Sequence, residues 1–304
     1  MNPLPVIVNP VARGGRSRPP REALEQAAAR RGVRLDWWET REPGHATVLA
    51  ARAARDRLPA VAAWGGDGTY NEAARGVVGS DTALLFLPGG TTSVLVYELG
   101  IPRRPERALI AQLDGEPRAM TVARTDRGQL FLLMLSAGPD SLILANLPPL
   151  LKARAGKFGI TLQALVEFGR ASLPRFEVTT GDVRREVGWC IVGNSRCYGG
   201  PWAATPGADP FREGFETVLL TRRGRLAAVP FFFAIPSGRH LRQRGVERHE
   251  SAEVRLTGDE RIPYQLDGDP AGYLPVTARA TPERVWVRVP RTGRGPGTGV
   301  RGPG

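Results

Sequence analysis

The stretch Trp64-Gly65-Gly66-Asp67-Gly68-Thr69-Tyr70-Asn71-Glu72 follows a short apolar run, Ala60 to Trp64, and leads into a segment of helical composition that reaches Val78. The run reads as a strand and the continuation as a helix, so the glycines occupy a strand-to-helix turn. Glycine lets backbone N–H groups approach an anion closely, and a helix N-terminus attracts one. The aspartate between the glycines can face the ligand or a phosphate-bound cation. This pattern predicts a site for a phosphate compound. The alternative reading is a tight turn with an aspartate cap.

Outward from this turn, the first 120 residues alternate strand and helix signals. Strands are expected at Pro5 to Val8, Val33 to Glu39, Ala60 to Trp64 and Ala83 to Leu87. Helices are expected at Pro20 to Arg31, Ala46 to Arg55, Tyr70 to Val78 and Ser93 to Leu99. Such alternation predicts an open, mostly parallel α/β sheet. Gly-rich turns follow three of the strands, at Asn9 to Gly15, Gly65 to Gly68 and Pro88 to Thr92. In open α/β sheets that edge is the ligand edge. Asn9 can hydrogen-bond a nucleotide, and Arg13 and Arg16 suit phosphate oxygens.

From about Arg118 the texture becomes β-rich, with strands expected at Arg118 to Arg124, Gln129 to Ser136, Arg175 to Thr179, Gly188 to Val192 and Phe215 to Leu220. Later strands are expected at Ser251 to Thr257, Ile262 to Leu266 and Val285 to Val289, and a helix at Gly159 to Ser172. This spacing predicts an antiparallel β-sandwich. The expected division is an α/β nucleotide-binding domain over 1–120, a β-sandwich over 121–290, and a disordered Gly/Pro/Arg-rich tail over 291–304.

Net charge is +12 and the isoelectric point is near 10.9, a balance that favours anionic partners. Arginine supplies nearly all of it, lysine occurring only at Lys152 and Lys157. The charges are spread along the chain rather than gathered in a basic arm, which argues against nucleic acid. Two cysteines, Cys190 and Cys197, make no disulfide framework, and no apolar run is long enough to span a bilayer. Met1 to Pro5 lacks an export signal, so a cytoplasmic setting is expected. His45, His240 and His249 show no metal-ligand spacing. Leu266-Asp267-Gly268-Asp269 ends a late strand and reads either as a hairpin turn or as a carboxylate pair able to supply a general base.

Together these residues resemble the diacylglycerol kinase catalytic-domain family, which includes ceramide and sphingosine kinases and is distantly related to NAD kinases. The resemblance runs through Val8-Asn9-Pro10 with Gly14, Thr40 with Gly44-His45-Ala46, the Gly65 to Glu72 run, and Leu99-Gly100-Ile101-Pro102. It continues in Ser136 to Asp140, Asn194 with Gly199-Gly200, and Asp267-Gly268-Asp269. It implies a phosphofructokinase-like α/β domain, a following β-sandwich, and ATP with Mg²⁺ in the cleft between them. Asn9, Thr40, Gly65, Gly66, Asp67, Gly68, Thr69, Tyr70, Asn71, Glu72 and Thr91 would contact the nucleotide. Asp267 would be the base that accepts a lipid hydroxyl proton, with Asp67 the second candidate.

Three departures from the family pattern stand out. Ser93-Val94 replaces a usual Asn, often followed by Asp. Asp269 stands where Glu is common. Arg212-Glu213-Gly214 replaces an Asp-Asp-Gly linked with Mg²⁺ in bacterial members, leaving Glu213 and Glu216 as the metal candidates. The implied activity is phosphoryl transfer from ATP to diacylglycerol or a similar lipid, taken from a membrane surface. Arginines beside the apolar segments Leu142 to Leu151 and Phe231 to Ile235 would contact anionic lipid at the inner membrane face. A kinase for a soluble acceptor such as NAD, or a non-catalytic nucleotide-binding regulator, are the alternatives.

Overall fold

The computed structural model describes residues 3–10, 18–90, 93–146, 174–222 and 224–291. The expectations for Arg13 to Arg16, Thr91, residues 147–151, the helix over 159–172 and the tail from 292 lie outside the described residues. The chain forms two compact units, Met1–Met120 with Glu283–Gly304, and Thr121–Pro282.

The first unit contains β1 (Leu4–Val8), α1 (Arg21–Ala29), β2 (Leu35–Glu39), α2 (His45–Arg55), β3 (Ala60–Gly65), α3 (Asp67–Val77), β4 (Ala83–Pro88), α4 (Val94–Glu98), α5 (Pro105–Leu113) and the start of β5 (Glu116–Thr125). Its strands lie in the order β2-β1-β3-β4 and pair in parallel. β1, β3 and β4 are almost wholly buried and show no polar alternation, as strands covered on both faces require. The edge strand β2 is only half-buried, and arginine covers its two indoles: Arg21 lies 5.0 Å from the Trp37 ring and Arg52 4.7 Å from Trp38. Helices α2 and α3 touch at Gly76, where an added Cβ would lie 2.4 Å from the Thr47 carbonyl oxygen.

The second unit holds the rest of β5, then β6 (Leu130–Phe131), β7 (Met134–Ala137), α6 (Pro139–Asn146), β8 (Phe176–Thr180), β9 (Val183–Val187), β10 (Trp189–Gly193), β11 (Cys197–Tyr198), β12 (Trp202–Ala203) and β13 (Phe215–Leu220). Then come α7 (Arg225–Ala234), two short 3-10 turns (Ile235–Ser237 and Arg239–Arg242), β14 (Val246–Ser251), β15 (Glu253–Gly258), β16 (Pro263–Leu266), β17 (Asp269–Tyr273) and β18 (Val276–Val289). One antiparallel sheet runs β14-β13-β10-β7-β16-β17. Facing it, β15 lies between β18 and β8, and β9 follows β8. Leu135, Val192, Phe215, Leu219 and Tyr264 from the first sheet share one core with Phe176, Val178, Val254, Leu256 and Val276 from the second. This is the expected sandwich.

β18 belongs to both units. Its early residues pair with β15, and Val287 pairs in parallel with Leu84 of β4. In the first unit Arg284 O accepts from Gly79 N at 2.9 Å. Arg288 donates to the carbonyls of Gln112, Leu113 and Gly115 at 2.7, 3.0 and 2.6 Å, capping the C-terminus of α5 with a cation.

The structure differs from expectation at several elements. Gln129 to Ser136 is two strands rather than one, broken at Leu132-Leu133. Ser251 to Thr257 spans the change from β14 to β15, where the chain leaves one sheet for the other. α5, α6 and α7 were not expected. Of the apolar stretch 231–235, Phe231 and Ile235 are core residues rather than a docking face.

Candidate active site

In the first unit β2 lies on one side of β1 and β3 on the other. The sheet order therefore reverses between β1 and β3, and ligands bind outside the C-terminal ends of strands at such a point. Asn9 leaves β1 there and Gly65 ends β3. Thr40, just after β2, is buried, and its N–H donates to Val8 O at 2.9 Å.

Two glycine loops meet at this edge. Gly65 O accepts from Gly89 N at 2.8 Å and from Gly90 N at 2.7 Å. A Cβ at Gly90 would sit 2.6 Å from Gly66 Cα, and one at Gly89 2.6 Å from the Trp64 indole. These glycines serve close approach; none of Gly65, Gly66, Gly89 and Gly90 has a positive φ. The left-handed backbone falls instead on Ser93, at φ 45°. That conformation is easiest for Gly and Asn.

Asp67 Oδ2 accepts from Val94 N at 2.8 Å and Oδ1 from Leu95 N at 3.0 Å. Its carboxylate thus caps the first turn of α4, tying one loop to the other. Gly66 caps α3 without a side chain, and Gly68 and Thr69 in its first turn have no intrahelical acceptor for their N–H groups. These donors can take a phosphate oxygen.

The later residues of the run turn inward. Tyr70 is buried, with its hydroxyl donating to Leu87 O at 2.9 Å and its ring edge-on to Phe86 at 4.9 Å; burial pushes the phenol far up. Asn71 is also buried. Glu72 Oε2 accepts from Ala46 N at 3.3 Å, and its carbonyl accepts from Thr47 Oγ1 at 2.8 Å, so it holds α2. Of the residues expected to contact a nucleotide in this run, Gly66, Asp67, Gly68, Thr69 and Glu72 are at least partly exposed, and Gly65, Tyr70 and Asn71 are buried.

In the second unit Asp267 and Gly268 form the two-residue turn between β16 and β17, with φ of 53° and 90°. Both positive angles are what a tight hairpin of this kind needs. The hairpin is observed, and the Asp267 side chain reaches far outside its turn. Asp267 Oδ2 accepts from Leu132 N at 2.8 Å, and Oδ1 accepts from Leu133 N at 2.8 Å and Met134 N at 3.0 Å. These are the amides freed where β6 breaks from β7. The break is therefore a receptor for the carboxylate.

Behind it, Leu132 O accepts from Asn194 Nδ2 at 2.8 Å and from Ser195 Oγ at 3.0 Å. Gly268 N donates to Gln265 Oε1 at 2.7 Å, and Gln265 Nε2 reaches Asp140 Oδ2 at 3.4 Å. Tyr198 also donates to Asp140 Oδ2, at 2.9 Å. Burial raises the Asp140 carboxyl above the ordinary range, opposed by donors from Ser136, Tyr198, Ser141 and Gln265. Gln265, Ser195 and Tyr198 carry no motif of their own, and only the fold identifies them.

The two metal candidates differ in burial. Glu213 is exposed, whereas Glu216 is 2% exposed, pairs with Arg248, and accepts from Gly207 N at 2.6 Å. No group of three His, Cys, Asp or Glu suited to a metal occurs among the described residues. Arg248 thus neutralises the buried Glu216 carboxylate.

Residues 3–125 match the family model for the diacylglycerol kinase catalytic domain, and residues 134–289 match that for the YegS C-terminal NAD kinase beta sandwich-like domain. A diacylglycerol kinase of Bacillus subtilis (strain 168) is 25% identical over 76% of this chain and 78% of its own length. One from Mycobacterium tuberculosis (strain ATCC 25618 / H37Rv) is 28% identical over 81% of each. A solved structure from Bacillus anthracis str. Sterne shares the fold, with a TM-score of 0.77 over 95% of each chain at 20% identity. With a glycine-loop α/β domain and a sandwich that anchors an Asp-Gly carboxylate, the chain belongs to the diacylglycerol kinase catalytic-domain family and is a kinase.

Proposed function

We propose that the protein is an ATP-dependent lipid kinase that transfers the γ-phosphoryl group to a hydroxyl of diacylglycerol or a similar lipid. The observation that carries this reading is the Asp267 carboxylate, fixed by three successive backbone N–H groups on a left-handed turn. A carboxylate held in one place by several fixed donors has the preorganisation that a positioned general base needs. Asp267 accepts the hydroxyl proton at a carboxylate oxygen while the lipid oxygen bonds to phosphorus and the bond to the departing diphosphate breaks. The N–H groups of Gly68 and Thr69 and the positive end of α3 hold phosphate oxygens. Asp67 acts indirectly, by holding the two glycine loops together. ATP would supply the phosphoryl group; no group of three His, Cys, Asp or Glu among the described residues is suited to hold Mg²⁺, which would enter with the phosphates and supply charge neutralisation.

The test is phosphoryl transfer from radiolabelled ATP with Mg²⁺ to mixed-micelle lipids and, separately, to NAD. A labelled lipid made by the parent and lost in Asp267→Asn, with ATP binding retained, is the expected result. The likeness of residues 134–289 to an NAD-kinase-type sandwich favours a second reading, a soluble acceptor. Label on NAD and none on lipid would establish it.

A further inference from the structure

We propose that α7 and the 3-10 turns after it form a docking surface for an anionic lipid bilayer. This deepens the lipid-kinase reading and rests on it for the identity of the partner. Helix α7 is apolar on two sides. Ala227, Ala228, Phe231 and Ile235 face the core, where Phe231 packs 5.2 Å from Trp189 and 5.5 Å from His240. A second stripe, Leu226, Pro230 and Phe233, lies at helical spacing on the outer side. Leu226 is 91% exposed and Phe233 63%. A helix needs one apolar face to pack, so the second face serves another apolar medium.

Charge selects that medium. From Thr221 to Val246 the chain has six arginines and no acidic residue. Arg222, Arg239, Arg242 and Arg244 are exposed, and none of these four forms an ion pair among the described residues. Arg222 and Arg244 line a depression of about 300 Å³ together with Leu226 and Pro230, so cations and apolar stripe share one surface. Exposed apolar side chains among arginines match the interfacial zone of a bilayer, with lipid phosphates outside and acyl chains inside. No helix of the described residues is long and apolar enough to cross a membrane, so this contact is with one leaflet.

The test is vesicle flotation of the full chain without ATP, on phosphatidylcholine alone and on phosphatidylcholine mixed with phosphatidylglycerol. The parent is expected to float with the anionic vesicles and little with the neutral ones. Arg242→Gln with Arg244→Gln should weaken binding roughly fivefold for each charge removed. Leu226→Ser with Phe233→Ser should weaken it at least about tenfold. All four positions are exposed, and thermal unfolding like that of the parent will confirm intact folding. Failure of the parent to float, or variants that float like the parent, overturns the proposal. A dimer of the parent that Leu226→Ser with Phe233→Ser dissolves, with no flotation, overturns it in favour of a second copy of the chain. Flotation without phosphorylation of any lipid sustains the docking surface and removes the lipid-kinase reading. Phosphorylation in micelles with flotation unchanged in both variants does the reverse.

Discussion

Two aspartates sit in glycine turns, one in each unit, and both spend their carboxylates on backbone N–H groups of another segment. Asp67 closes its loop on a near neighbour and caps a helix of five residues. Asp267 reaches back more than a hundred residues to three successive amides where two strands part. The first is a clasp between loops that offer N–H groups to an anion. The second fixes the carboxylate itself, on a backbone conformation only a turn supplies. Similar local sequences thus do different work, and the partners rather than the motif decide which.

The sharpest way to break this contrast is to neutralise each aspartate in turn. Asp267→Asn should lower kcat by about 10²–10⁴ while leaving the affinity for ATP near that of the parent. Asp67→Ala should instead lower stability by about 1–2 kcal/mol, through the lost cap of α4, and raise the KM for ATP. Steady-state kinetics beside thermal unfolding separate the two, and the opposite pattern would exchange their roles. Next in size is Gly90→Ala, whose Cβ would collide with the Gly66 backbone. It should cost about 1–3 kcal/mol and weaken nucleotide binding, measured by calorimetry.

Asp140 sharpens the second half of the comparison. Burial holds its carboxyl above the ordinary value, so the folded protein keeps a proton that the unfolded chain has released. Its contribution to stability is therefore fullest at low pH and is lost as pH rises through the folded pKa. Melting curves from about pH 4 to about pH 8 should show a smaller decline in Asp140→Asn than in the parent. The smallest expected effect is at Ser93. Ser93→Gly relieves a left-handed serine at some entropic cost and should raise stability by about 0.5 kcal/mol.

The parallel sheet was legible because β1, β3 and β4 are uninterrupted apolar runs ending in glycine turns. The glycine loop was legible as a place, but its inner workings were not. Tyr70 and Glu72 look like ligand residues in the run, whereas helix periodicity sends one to the core and the other to α2. Asp267 was visible as a turn and as an acid, yet its three donors lie in a break that an unbroken apolar stretch conceals. Helix α7 was hidden by being apolar on two sides, a pattern with no helical stripe to detect.

β18 sets an order of assembly. The first unit to leave the ribosome lacks the strand that lies beside β4 and the arginine that caps α5. Both arrive only with Glu283 to Val289, after the whole second unit has been made. The α/β unit is begun first and finished last, so a fragment ending near Met120 would be an incomplete fold rather than a separable domain.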